Sequence, residues 1–402
     1  MSASTPLPVL KVLYRNTDRI QESGLAKNKT LKPVQPAELP SGTHGGKLLR
    51  EATRAADQQQ AERIFAGQVK KSIKDAYNHL LWTVQDSADV HRFVLAHRAF
   101  GLIQIVGEQD AHTLLRQCVR FCIKSEQHRK ERKRPQHPVR SLIPKLLDQY
   151  QLLSKKPGTR RPDDAWFDQT ARYIHTHGKD QAMDTVAAAL GDGISIEAVG
   201  EAISLAANQL VLRQGKRRDG GSRCHGDSPG VHSSDSINAW RNMARISSRR
   251  NAVVGMMVGA YHVAEFNNHS ESEPYPLEAH RELVKATDAK SLLKQAATAI
   301  RENDQGQACA AIQVYGEQGH APRSVFELMR RFAISEDGRL HGEKYYRTVT
   351  EEFATTTPAL RWRQLVALAR VTASSHGFNR KDESGHRAPG YEEACRLLKV
   401  EV

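Results

Sequence analysis

Apolar residues recur every three to four positions from about residue 59 onwards, which is the period of one face of an α-helix. In the first such segment, the residues that share this face are Ile64, Val69, Ile73, Tyr77, Leu80 and Leu81. Two more segments with the same period follow at 86–107 and 108–126, and the connections between them are short. Because short connections favour antiparallel neighbours, the pattern predicts helices that pack side by side.

Signals for β-strands are missing from the pattern. No stretch alternates apolar and polar residues as a half-buried strand does, and no hairpin dipeptide lies between β-branched runs. Helix boundaries, in contrast, are recognisable: Gly191-Asp192-Gly193 ends one helix, and Ser195 begins the next. The sequence therefore predicts an all-α fold, built as a multi-helix bundle or as a stack of helix pairs.

The sequence pattern of one helical hairpin recurs further along the chain. Displaced by 126 positions (307 minus 181), a first set of residues aligns with a second set without a gap. The first set is Gln181, Ala182, Val186, Gly193, Val199, Ile203 and Ala207, and the second is Gln307, Ala308, Ile312, Gly319, Val325, Met329 and Ala333. The match favours a repeated helix-pair architecture. A chance match between two amphipathic hairpins is the alternative.

The N-terminal residues differ in character from the rest. Residues 1–58 contain Pro6, Pro8, Pro33, Pro36 and Pro40 and have little periodicity, so they are predicted to form an irregular arm. Residues 59–402 are predicted to form the helical domain. The basic, proline-containing segment 129–162 could divide that domain into 59–128 and 163–402.

Composition places the chain among ordinary globular proteins, because 39% of its 402 residues are hydrophobic and 26% are charged. No run approaches the roughly 18 apolar residues of a spanning helix, and the N-terminus lacks a secretory pattern. The sequence therefore predicts a protein without a membrane partner, located in the cytoplasm. The five cysteines are scattered and odd in number, which predicts reduced thiols.

Positive charge is the main departure from the average. Lys and Arg number 59 against 45 Asp and Glu, a formal net charge of +14, and much of the excess lies in 124–140, 155–161 and 213–223. No aromatic residues are interleaved there for base stacking, so solvated surface is the favoured interpretation. The charge nevertheless supports an alternative function: a non-catalytic helical-repeat protein that binds an acidic partner or nucleic acid.

The segment from Cys224 to His269 is the best candidate for chemistry. His225 and His232 are predicted to lie in a loop with glycines and a proline, where binding residues are often held by a rigid scaffold. Ser233, Ser234 or Asp235 is expected to cap the helix that follows. For both histidines, a binding role and a structural role remain open at this point.

A metal site is the sharper hypothesis for the next helix, which is apolar nearly all round. His262, Glu265 and His269 fall at positions i, i+3 and i+7 and share one face if the helix continues. Glu197 and Glu201 could join them from a second helix. Such a set would suit a transition metal: Fe, Mn, Cu or Zn. The alternative is a core histidine with first-turn acids that face water.

Motifs of common enzymes, such as GxxxxGK[ST], GxGxxG, HExxH and GxSxG, do not occur. The stretches GVHSSDSINAWRNMA (230–244) and DVHRFVLAHRAFGLIQIVG (89–107) resemble the histidine-led helices of questin oxidase-like proteins. That family consists of all-helical, oxygen-using oxidoreductases that act on aromatic polyketides. The resemblance implies that His232 and His91 line a pocket.

These observations lead to one favoured hypothesis, a helical oxidoreductase that acts on a small organic substrate. His232 and His262 would serve as metal ligand or general base, Glu265 would be a ligand or orient one, and His225 would lie at the pocket mouth. From the C-terminal part, His341, Tyr345 and Tyr346 could lie near the same pocket.

Overall fold

The computed structural model describes residues 32–40, 42–215, 224–267, 273–333, 339–377, 390–397 and 399. In these ranges the chain forms eighteen α-helices and no β-strand. The only extended pairing there is an isolated parallel bridge between Arg160 and Ile194. The all-α prediction is therefore confirmed. None of the described helices is both long and apolar enough to cross a bilayer.

The chain divides into two compact units, each described here by itself. The N-terminal unit contains the described residues of 32–206 and 235–267, and the C-terminal unit those of 207–234 and 268–402. The division falls inside two helices, α9 (Ile196–Arg213) and α10 (Pro229–Ile246), which contribute residues to both units. The division falls at other residues than the possible subdivision near 129–162.

The helices that lie wholly in the N-terminal unit are α1 (Gly45–Ala55), α2 (Gln58–Lys71), α3 (Ile73–Val84), α4 (Val90–Val106), α5 (Ala111–Glu131), α6 (Val139–Gln149), α7 (Asp164–Thr176), α8 (Lys179–Gly191) and α11 (Arg249–Ala264). Helix α11 packs mainly against α8, and α1 packs against α3. All residues of α11 from Asn251 to Ala264 are buried, which explains why its sequence is apolar all round.

The helices that lie wholly in the C-terminal unit are α12 (Glu278–Glu282), α13 (Ala289–Arg301), α14 (Gln305–Glu317), α15 (Pro322–Ala333), α16 (Arg339–Thr355), α17 (Trp362–Ser375) and α18 (Tyr391–Leu397). Helix α17 is buried along nearly its whole length and packs against α14. The charge of Arg370, at its centre, is fully buried. It donates hydrogen bonds to the carbonyls of Val211 (2.6 Å) and Gln214 (2.5 Å) at the end of α9.

The prediction of an irregular arm through residue 58 was wrong for residues 45–55, which form α1. The two glycines that start α1 suggested a turn in the sequence. In the structure they allow a close approach, because a Cβ at Gly46 would lie 2.7 Å from the Trp82 ring. His44 caps the helix, since its Nδ1 accepts a hydrogen bond from the N–H of Gly46 (3.1 Å).

The hairpin pattern that recurs in the sequence has a structural counterpart. Helices α8 and α14 both contain 13 residues, and after each the chain turns through a glycine with positive φ, Gly193 (84°) or Gly319 (74°). The correspondence extends one helix upstream, because α7 and α13 also contain 13 residues each and follow aspartate caps, Asp163 and Asp288. In addition, α8 packs against α11 as α14 packs against α17.

Candidate functional site

The candidate site is built on a short turn that leads into α10. His225–Asp227 form one turn of 3₁₀-helix, and Ser228 caps α10 by accepting a hydrogen bond from the N–H of Val231 (3.2 Å). Pro229 occupies the first helical position, where its fixed φ and missing N–H suit the backbone. His232 consequently lies in the first turn of α10.

The start of this helix had been predicted too far along the chain. The expected cap at 233–235 was wrong, and so was the loop expected around His232, because α10 begins at Pro229. Gly230 suggests a loop in the sequence but has a packing role in the structure. A Cβ there would lie 2.7 Å from the backbone nitrogen of Val211, so only glycine allows this approach of α10 to the end of α9.

Two histidines and an aspartate meet at the turn. His341, in the first turn of α16, has its Nδ1 atom 3.0 Å from Oδ1 of Asp227, which is hydrogen-bond distance. The ring of His232 packs edge-on against the ring of His341, with centroids 5.5 Å apart and planes at 70°. The side chains of His341 and Asp227 are 31% and 38% exposed, so both are accessible to solvent.

Gly226 allows the turn to lie against α16 and α17. A Cβ on this residue would be 3.0 Å from Cβ of His341 and 3.4 Å from both Sγ of Cys224 and Oγ of Ser375. Cys224 and Ser375 are buried, and Oγ of Ser375 makes no hydrogen bond within the described part of the chain. The thiol of Cys224 and the hydroxyl of Ser375 are therefore buried next to the turn.

His225 does not lie at the mouth of a pocket, as the sequence had suggested, because it is fully buried. Its backbone N–H donates a hydrogen bond to Oγ of Ser374 (2.9 Å). This bond joins the turn to the end of α17 and helps to hold Asp227 in position.

His91 belongs to the N-terminal unit and lies in the first turn of α4, with 67% of its side chain exposed. The Asp89 carboxylate caps this helix and accepts hydrogen bonds from the N–H groups of His91 (2.8 Å) and Arg92 (3.1 Å). The ring of His91 is 6.3 Å from that of Phe121. His91 is thus largely exposed to solvent in α4, and the pocket position that the resemblance implies for it stays a prediction.

His262 and Glu265 also belong to the N-terminal unit. The His262 ring is buried between the rings of Phe93 (5.8 Å) and Phe266 (5.4 Å). Glu265 follows the end of α11, with Nζ of Lys179 at 3.8 Å from its carboxylate. Burial raises the pKa of Glu265, and the Lys179 charge opposes that effect. These positions agree with packing and ion-pair roles for the two residues.

The remaining predicted metal ligands differ in their burial. Glu197 is exposed in the first turn of α9, whereas Glu201 is fully buried and accepts a hydrogen bond from Nη2 of Arg161 (2.7 Å). His269 lies outside the described residues. Within the ranges that the structure describes, no three His, Cys, Asp or Glu side chains form a group that could hold a metal ion.

The arrangement of Asp227, His341 and His232 suits proton transfer. A carboxylate that accepts from Nδ1 of an imidazole fixes the tautomer, so that Nε2 can take or give a proton. His232, beside the ring of His341, is a second group that can hold a proton.

Sequence reasoning selected His232 but gave no role to Asp227 and placed His341 only vaguely. The three residues come from a turn, α10 and α16, and His341 is 114 positions from Asp227 (341 minus 227). The available signal was an aspartate in a glycine-containing turn two residues after a histidine. That signal could not indicate the partner.

No family model, no curated protein and no solved structure matches this chain. The functional argument therefore depends on the chain's own residues. The resemblance to questin oxidase-like proteins stays an expectation from about thirty residues.

Proposed function

We propose that the chain is an enzyme that acts on a small organic substrate by acid–base catalysis at His341. The observation that carries the proposal is the 3.0 Å contact between Nδ1 of His341 and Oδ1 of Asp227 at an accessible place on the C-terminal unit. A histidine–aspartate pair with a purely structural role would not need to be accessible to solvent. Positioned general bases typically contribute about 10²–10⁴-fold to a rate.

Each residue has a definite role in the proposal. Asp227 orients the ring of His341 and stabilises its positive charge when a proton is taken up. His341 removes a proton from the substrate, and His232 exchanges a proton with the substrate or with His341. Gly226 lets the turn come close enough to place the Asp227 carboxylate.

The type of reaction to test first comes from the sequence expectation of an oxidoreductase. Loss of a proton from a phenol or an activated C–H group makes the substrate easier to oxidise, and His341 would perform that step. Molecular oxygen would be the electron acceptor in that reaction. Elemental analysis of the purified chain, without a metal-binding tag, would identify any metal.

The proposal is tested by incubating the purified chain with a metabolite extract and following mass changes by untargeted mass spectrometry. We expect specific compounds to disappear, with products formed by the wild-type chain. His341→Gln should reduce the conversion by at least about 100-fold, and Asp227→Asn by about 10-fold or more.

His320→Gln is a matched control, since His320 is a half-buried histidine of the same unit whose ring contacts Gln318 and Tyr315. This variant should convert the same compounds at the wild-type rate. Equal conversion by wild type and His341→Gln, with both proteins folded by circular dichroism, would falsify the proposal.

A further inference from the structure

A cavity of about 730 Å³ lies in the N-terminal unit, lined by residues that the proposed function does not use. The lining residues that matter for its chemistry are His44, Lys74, His79, Trp82, Arg245 and Ser248. Ligand pockets typically measure about 300–1,000 Å³, so the cavity can hold a small metabolite. Its basic and aromatic lining indicates an anion.

Two arginines are crowded over the ring of Trp82. The guanidinium carbon of Arg250 is 3.5 Å from the ring centroid and that of Arg50 is 4.9 Å away, and both residues are half-buried. In the described part of the chain, no carboxylate oxygen lies within 4.0 Å of either guanidinium. The Asp86 carboxylate is already held by Arg54, through hydrogen bonds of 2.6 and 2.7 Å.

The crowding of the two arginines has an electrostatic effect on three side chains. Burial and the Arg50 charge lower the pKa of Arg250 to about 10, and burial and the Arg54 charge lower the pKa of Arg50. Burial and the Arg250 charge also lower the pKa of His44, which lines the cavity. The Asp86 charge opposes the lowering of both arginine pKa values only in part. A bound anion would reduce the repulsion between the two half-buried arginines further.

Three helices begin at the cavity. His44 is the cap of α1, Lys74 lies in the first turn of α3, and Ser248 is the cap of α11. The first turn of a helix carries a partial positive charge, which adds to the arginine charges. Asp75 also lines the cavity, but it is exposed in the first turn of α3 and is outnumbered by cations.

We infer that this cavity is a binding site for the phosphate group of a small molecule. Phosphate concentrates more charge on its oxygens than a single carboxylate does, and guanidinium groups recognise it through paired hydrogen bonds. Lys74 and Arg245 would contact the anion from the lining, while Arg250 and Arg50 supply charge next to Trp82. Inorganic pyrophosphate and a nucleotide share this chemistry.

The test is isothermal titration calorimetry of the full chain at low salt with pyrophosphate and with ADP. We expect saturable binding of at least one of them, weakened at least about tenfold by Arg245→Gln and by Lys74→Gln. Both side chains are exposed, so these variants should fold normally. Tighter binding of ADP would identify a nucleotide as the ligand, and equal binding would indicate the phosphate groups alone.

Arg50→Gln separates a ligand role from a structural one. It should weaken ligand binding at least about tenfold, yet leave the melting temperature of the unliganded chain unchanged or higher, because it relieves the repulsion with Arg250. Lys70→Gln, at an exposed position of α2 outside the lining, is the matched control and should bind normally.

Three results would overturn the inference. The first is no saturable binding of either ligand by the wild type up to about 10 mM. The second is binding by Arg245→Gln, Lys74→Gln and Arg50→Gln that equals that of Lys70→Gln. The third is binding of a short RNA under conditions in which neither small ligand binds.

Discussion

His137 shows how individual residues in this fold respond to the excess of positive charge. The backbone N–H groups of Ala88 and Val139 lie 3.4 Å from its Nε2 and Nδ1 atoms. A neutral ring can accept one of these two hydrogen bonds, whereas a protonated ring can accept neither. Burial, followed by the charges of Lys179 and Arg92, lowers the pKa of His137 to about 4. Protonation of this ring therefore opposes folding.

This shift predicts a pH dependence of stability. Between pH 6.5 and about 4 the unfolded chain binds a proton on His137 that the folded chain does not bind, so the free energy of unfolding falls as the pH falls. At pH 5 the loss due to this residue should be about 1 kcal/mol, which allows for screening of a partly exposed ring. Urea unfolding at pH 7 and pH 5 measures it.

The comparison that isolates the effect is His137→Gln. The difference in unfolding free energy between the variant and the wild type should change by about 1 kcal/mol in favour of the variant between pH 7 and pH 5. A constant difference for His137→Gln across this range would contradict the assignment.

At the scale of elements, the two corresponding hairpins make the turn glycines comparable. Gly193 and Gly319 adopt positive φ, and a Cβ on either would meet no atom within 4 Å. Substitution by alanine therefore tests backbone conformation without a steric clash. Because L-residues disfavour positive φ, Gly193→Ala and Gly319→Ala should each lower the free energy of unfolding by about 1 kcal/mol.

For Gly101→Ala we expect the opposite effect, an increase in the free energy of unfolding. Gly101 is exposed inside α4, and a Cβ there would also meet no atom within 4 Å. Alanine should stabilise this helix by about 0.5–1 kcal/mol. Chemical denaturation of the three variants measures the expected decrease in the free energy of unfolding at Gly193 and Gly319 and the expected increase at Gly101. A stabilising effect at Gly193 or Gly319 would contradict the described turns.

The elements that could be predicted were those with a strong local pattern. The sequence identified the all-α class and the stop at Gly193, because helical periodicity and turn glycines act over a few residues. It missed α1 and the true start of α10, where Gly46 and Gly230 serve close packing against Trp82 and Val211. A glycine needed for a contact cannot be distinguished from a loop glycine by sequence alone.

At the scale of the whole molecule, long-range contacts account for what the sequence could not predict. His232 was recognisable as a histidine in an unusual segment, but the partner role of His341 depends on how α16 packs. The metal hypothesis relied on helical spacing, and the structure places His262 among aromatic rings and Glu201 beside Arg161. The alternative function, binding of an acidic partner or nucleic acid, stays a prediction. The net charge of +14 and the exposure of the basic segment 131–136 support it.

The central claim is that Asp227 holds His341 as a proton-transfer group, and the tautomer of His341 tests it without a known substrate. Long-range ¹H–¹⁵N spectra of the chain labelled with ¹⁵N-histidine, assigned with His341→Gln, report which ring nitrogen carries the proton. The account predicts the Nδ1–H form in the wild type and its loss in Asp227→Ala. An Nε2–H form in the wild type, unchanged in Asp227→Ala, would contradict it.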